Sequence, residues 1–131
     1  MRSFLFFIVS VIALTSFSYS DINKLPPILE PSDSQRKEYD LPPRFFKKSL
    51  LVQDILIATS DKVSDLAVNE SAYLFDQMMK DINPDVAARI RSRKVLCILV
   101  GKDELTSQIP QFVSDKTGKD LDFYNWRQRG F

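Results

Sequence analysis

The chain has 131 residues, 18 basic against 17 acidic side chains, one cysteine and no histidine. A near-neutral balance without a basic stripe gives no electrostatic reason to seek nucleic acid or an anionic membrane. The missing histidine removes Ser-His-Asp and Cys-His catalysis, His-ligated zinc and imidazole general-base chemistry together.

At the start, Met1 and Arg2 precede a mostly apolar run from Phe4 to Leu14, followed by small residues ending in Ser18, Tyr19 and Ser20. This reads as a secretory signal peptide over 1–20, cleaved between Ser20 and Asp21. A membrane-spanning helix needs about 20 apolar residues, and this run is shorter. The expectation is a secreted, extracellular chain with no membrane association once the signal is removed. Arg2 is the only charge lost, so 17 basic and 17 acidic residues remain.

Residues 21–47 hold five of the seven prolines with mixed charges and no sustained period. They read as an extended, proline-rich leader that contributes little to a hydrogen-bonded core. Lys47-Lys48 at its edge is either a dibasic processing site or a solvated pair flanking a strand.

The ordered region is expected over 48–131. "SLLVQDILIATS" carries two short apolar runs, and the second, Ile55 to Ala58, reads as a buried strand. Val68, Ala72, Phe75, Met79 and Ile82 then recur at helical spacing, with Leu74 and Met78 widening the stripe, and predict an amphipathic helix over 63–82. Met78-Met79 reads as gap-filling core, the alternative being a soft metal or oxidation site. Asn83, Pro84 and Asp85 give the start signals of a second helix. Arg91, Arg93 and Lys94 match its negative C-terminal end before any anion-binding role is invoked. "KVLCILVG" reads as a second buried strand, parallel to the first through a right-handed crossover. Cys97 inside it reads as a small buried hydrophobe; a nucleophile or intermolecular bridge would need exposure and an activating neighbour.

Beyond Gly101 the pattern thins to loop, with one helical turn near 102–106. Asp103-Glu104 has the composition of an acid/base pair, but adjacent exposed acids ordinarily mark a turn or helix start. Asp115, Asp120 and Asp122 lack the ligand spacing of an EF-hand loop. Asn69-Glu70-Ser71 is an N-glycosylation acceptor in a chain expected to be secreted, and Asn69 falls on the polar flank of its helix.

Three stretches carry a resemblance: Val63, Ser64, Asp65 and Ala67 at a helix start; Asp103, Glu104, Thr106, Ile109 and Pro110; and Trp126, Arg129 and Gly130. Over roughly 48–131 the chain resembles the N-terminal region of secreted zincin-like metallopeptidase homologues of the lethal-factor type. In those proteins the tryptophan element precedes a helix bearing H-E-x-x-H, whose histidines hold zinc and whose glutamate is the base. The chain has no counterpart, so the resemblance carries over no catalytic, cofactor-binding or metal-ligating residue.

The fold expected is therefore α/β, with mixed α+β open. It comprises a small partial sheet of two buried strands and two helices, an incomplete domain that is either marginally stable or completed by self-association. The function expected is that of a non-catalytic extracellular protein, a truncated zincin relative, with no cofactor and with a second copy or another extracellular protein as partner. The alternatives are the N-terminal part of an active secreted metallopeptidase and an organic matrix component, for instance of a mineralised tissue. The matrix reading has little sequence support, because acidic runs and repeats are absent.

Overall fold

A computed structural model describes residues 24–127, in which four helices and a three-stranded sheet give a mixed α+β fold. The signal segment, the Ser20/Asp21 cleavage site and the Arg129-Gly130 end of the tryptophan element lie outside the described residues.

The first helix among the described residues is α1, Asp33–Glu38, inside the leader. Ser32 builds its N-terminus as a capping box: its hydroxyl accepts from the Gln35 amide at 3.3 Å, and the Gln35 side chain accepts from the Ser32 amide at 2.9 Å. Arg36 then reaches across to the carbonyls of Leu41 and Phe46 at 3.4 and 3.3 Å. These bonds fold the leader back on itself just ahead of the sheet.

The sheet contains three strands where the sequence predicts two. β1, Lys48–Val52, and β2, Ile55–Thr59, form an antiparallel hairpin in which Val52 faces Ile55. Gln53 and Asp54 make the turn with φ of +51° and +61°. Both central residues are left-handed, as a two-residue hairpin turn of type I′ requires. The sequence lacks the Asn-Gly signal for such a turn, and side chains supply what it omits. Gln53 donates to Asp76 at 2.8 Å and accepts from Arg91 at 2.7 Å, so two helices hold the tip.

After β2 the chain enters α2, Asp65–Asp81, through Ser64, whose hydroxyl accepts from the Ala67 amide at 3.2 Å. Asn83 caps α3, Pro84–Arg91, by accepting from the Asp85 amide at 2.9 Å, with Pro84 in the first turn. These bounds follow the predicted helices closely. β3, Leu96–Ile98, runs parallel to β2, with Ile57 beside Cys97, as the two apolar runs imply.

Each sheet face has its own cover. Leu50, Val52 and Ile57 meet Val68 and Ala72 of α2 on one side. Leu56, Ala58, Ile98 and Val100 meet Leu41, Phe46 and Ile109 on the other. The leader, expected to be extended and to contribute little to a hydrogen-bonded core, thus contains a helix and supplies the buried Leu41 and Phe46. The reason is that a sheet with one helical layer leaves its opposite apolar face wet until something lies on it.

The C-terminal part also departs from a plain loop. A 3-10 turn covers Thr106–Gln108 rather than the region near 102–106, and α4 spans Gly118–Arg127. The contact between them is polar: Asn125 accepts from the Ser107 amide at 2.9 Å, and the Thr106 hydroxyl donates to the Tyr124 carbonyl at 3.2 Å. No described helix is long and apolar enough to cross a membrane.

Candidate interaction surfaces at the two ends of the parallel strands

The carboxyl ends of β2 and β3 open on a polar crevice of about 250 Å³, lined by Arg44, Phe45, Ser60, Asp61, Lys62, Glu104 and Gln108. Ligands of open parallel sheets commonly bind outside such strand ends. Its defining residue is Glu104, which the sequence presents as one of two adjacent exposed acids. Asp103 is exposed, but Glu104 is only 4 % exposed. The backbone turns back at this point, with the Glu104 amide donating to the Gly101 carbonyl at 3.1 Å. The Gly101 amide in turn donates to the Glu104 carboxylate at 2.8 Å. A Cβ on residue 101 would lie 2.7 Å from that carboxylate and 3.1 Å from Lys62 Cβ, so a larger residue there would push the carboxylate off its present position.

Other residues of the resemblance also do structural work at this end. Ser64 caps α2, Asp65 pairs with Lys48 at 2.7 Å, Thr106 is buried against α4 and Ile109 is core. Trp126 is 68 % exposed. Asp115, Asp120 and Asp122 do not converge: among the described residues no three His, Cys, Asp or Glu side chains are grouped to hold a metal ion.

The amino ends of the same strands open on a different surface. A groove of about 570 Å³ is lined by Ile55, Phe75, Met78, Met79, Ile82, Ile90 and Val95, with Asp81 the one polar residue in its wall. Two of its lining residues, Ile55 and Met79, belong to a small buried cluster with Ala87 of α3. The predicted methionine pair divides here. Met79 is 5 % exposed and belongs to the core, whereas Met78 is 64 % exposed and Leu74 59 %. The apolar stripe of α2 is thus wider than the surface the other described residues cover. On α3, Val86 is 42 % exposed and Arg89 follows three residues later.

The remaining candidates have structural placements. The Cys97 thiol is half-buried, and burial pushes its pKa up, away from a reactive thiolate. Lys48 is locked into β1, donating to the Val63 carbonyl at 2.9 Å as well as to Asp65, and the Lys47 amide donates to Thr59 at 2.9 Å. The Lys47-Lys48 bond therefore lies at the hairpin base, with backbone and side chain engaged on either side. Of the basic residues at the end of α3, Arg91 bonds Gln53, and Lys94 pairs with Glu38 at 2.8 Å, which raises the lysine's pKa. Asn69 lies partly buried on α2, and the Ser71 hydroxyl of its acceptor triplet donates to the Ala67 carbonyl at 2.9 Å.

Compared with protein families, curated proteins and solved structures, the chain matches none of them.

Proposed function

We infer that this chain is a secreted extracellular protein that works by binding another protein and not by catalysis, with a distant zincin-like origin. The observation that carries the reading is the open apolar groove between α2 and α3. Isolated exposed apolar residues are ordinary on protein surfaces, whereas a contiguous patch beside a concavity marks an interaction site. The occupant it fits is a protein ridge rather than a small molecule, because the groove is open, Met78 in its wall is itself exposed, and α2 and α3 carry the further exposed apolar residues Leu74 and Val86. Met78 adapts its shape to such a ridge at little cost, and Arg89 on α3 favours an acidic rim on the partner. The polar crevice is a weaker candidate for chemistry, since its one buried carboxylate already accepts from the Gly101 amide. Secretion is supported by the charge-then-apolar N-terminus, and the non-catalytic reading by a sequence without histidine.

Two measurements on the purified secreted chain test this. Metal analysis after dialysis should give no stoichiometric zinc, and unfolded protein substrates should stay intact with or without added zinc. Stoichiometric zinc or turnover would overturn the reading. For the groove, a photo-reactive group at position 78 should link one extracellular protein in the native secretion, and Val86→Asp should abolish the link. Linkage only to other copies of the chain would assign the groove to self-association instead.

A further inference from the structure

β1 is an outer strand, because the sheet order is β1-β2-β3. Its hairpin closes on Val52 and Ile55. Along β1, residues that bond to β2 therefore alternate with residues whose amide and carbonyl point away from it, and Ser49 and Leu51 are the outward ones. At Ser49 both outward groups are taken. The Leu29 amide donates to its carbonyl at 2.9 Å and its amide donates to the Leu29 carbonyl at 2.6 Å, an antiparallel bridge from the leader onto the sheet.

The register of that bridge, 29 opposite 49, sets position 27 opposite 51 and position 31 opposite 47. Both positions are proline. A proline has no N–H to give an edge carbonyl, so the leader pairs with β1 through one residue and cannot continue as a strand in either direction. The segment is nevertheless fixed. Leu25 and Ile28 pack against the cluster of Leu50 and Val68, and Pro31 is buried. A cavity of about 300 Å³ remains between the segment and Leu50-Leu51, and Leu51 is 45 % exposed. The strap thus spans the edge without being packed down along it. Beneath it lies "KSLLV", an apolar edge strand of the kind that recruits identical strands.

We propose that residues 24–31 are an edge guard: a strap that occupies the outer edge of β1 through Leu29, with prolines that stop pairing from spreading, and so keeps a second copy of the chain from adding its own β1 there. The excluded partner is self-complementary, because two identical β1 edges meet antiparallel about a two-fold axis. An opened edge would offer Leu51 with both backbone groups available, flanked by Leu50 and Val52.

The test uses the secreted chain and Leu29→Pro, which removes the single amide that the strap donates. Hydrogen exchange at the Ser49 amide should become roughly tenfold faster or more, while 56–58 and 96–98 stay protected. Sedimentation should show self-association that rises with concentration, and adding Leu51→Lys, an edge charge, should restore the monomer. Ile28→Asp, which loosens the anchor and keeps the Leu29 amide, should give the same association. An opened edge in a chain that stays monomeric would overturn the proposal, as would association indifferent to Leu51→Lys. Because proline keeps the carbonyl that accepts from the Ser49 amide, unchanged Ser49 exchange in both Leu29→Pro and Ile28→Asp would show that the bridge does not hold the edge. Loss of protection throughout β2 and β3 in both strap variants would make the strap part of the core and not a guard.

Discussion

Glu104 and Gly101 show how much one residue's setting depends on a neighbour three positions away. The carboxylate is buried because the Gly101 amide points at it, and residue 101 can approach because it has no Cβ. Glu104→Ala leaves that amide without its acceptor and is expected to cost about 1–3 kcal/mol, whereas Glu104→Gln keeps an oxygen in place and should cost clearly less. Gly101→Ala crowds the carboxylate and Lys62 Cβ and should cost roughly 1–3 kcal/mol as an overpacking change. Urea unfolding of the three variants checks the order, and a Glu104→Gln as damaging as Glu104→Ala would show that the charge, not the acceptor, is needed. Composition at 103–104 carries no hint of this difference, since two adjacent acids look alike until the turn places one inside and one outside.

At the scale of elements, α2 and α3 were legible from their caps and apolar spacing, whereas α1, despite the Ser32 capping box, and α4 were not, since α1 buries no side chain and α4 has no apolar stripe. Ser64 and Asn83 each accept an amide of the first turn, so Ser64→Ala and Asn83→Ala should each cost about 1 kcal/mol in thermal or urea unfolding. Near-zero effects would show that packing alone sets those ends. α4 escaped notice because it has no apolar stripe: Phe123 and Trp126 face outward, and Asn125 docks the helix by a hydrogen bond. The hairpin was half legible for a related reason. Its turn depends on Gln53 reaching Asp76 and Arg91, which lie 23 and 38 residues away. Asp76 also accepts from Lys80, and the bonds from Lys80 and Gln53 hold its carboxyl below the ordinary carboxylate range despite some burial. A depressed folded pKa contributes stability that is fully present above the unfolded value near 4 and is lost as pH falls through the folded value. Asp76→Asn should therefore lower stability at pH 7 and flatten its decline below about pH 4. A variant whose decline in that acid range matches the parent chain would remove Asp76 from the acid response.

For the whole molecule, the decisive fact is that the sheet is covered by α2 on one face and by the leader with the Ile109 region on the other. Phe46 is fully buried in that second layer, so Phe46→Ala should cost about 3–5 kcal/mol, a large share of the 5–15 kcal/mol typical of a domain. A loss below about 1 kcal/mol in denaturant titration would return the segment to the status of an appendage. By itself the sequence determined an α/β class with mixed α+β left open, α2 and α3 with their caps, and the parallel relation of β2 to β3. Each follows from a signal carried within a short window: a 3.6-residue period, a capping side chain, or an apolar run of strand length. Only the tertiary structure decided that Leu50 to Val52 forms a third strand, that the leader is core and strap, that Glu104 turns inward, and that Met78 lines an open groove and Leu74 stays exposed among the described residues. Those outcomes rest on contacts between distant segments. Proline content and period say that residues 24–47 form no long helix or strand, but which face of which sheet buries Leu41 and Phe46 is fixed only when the sheet exists to receive them.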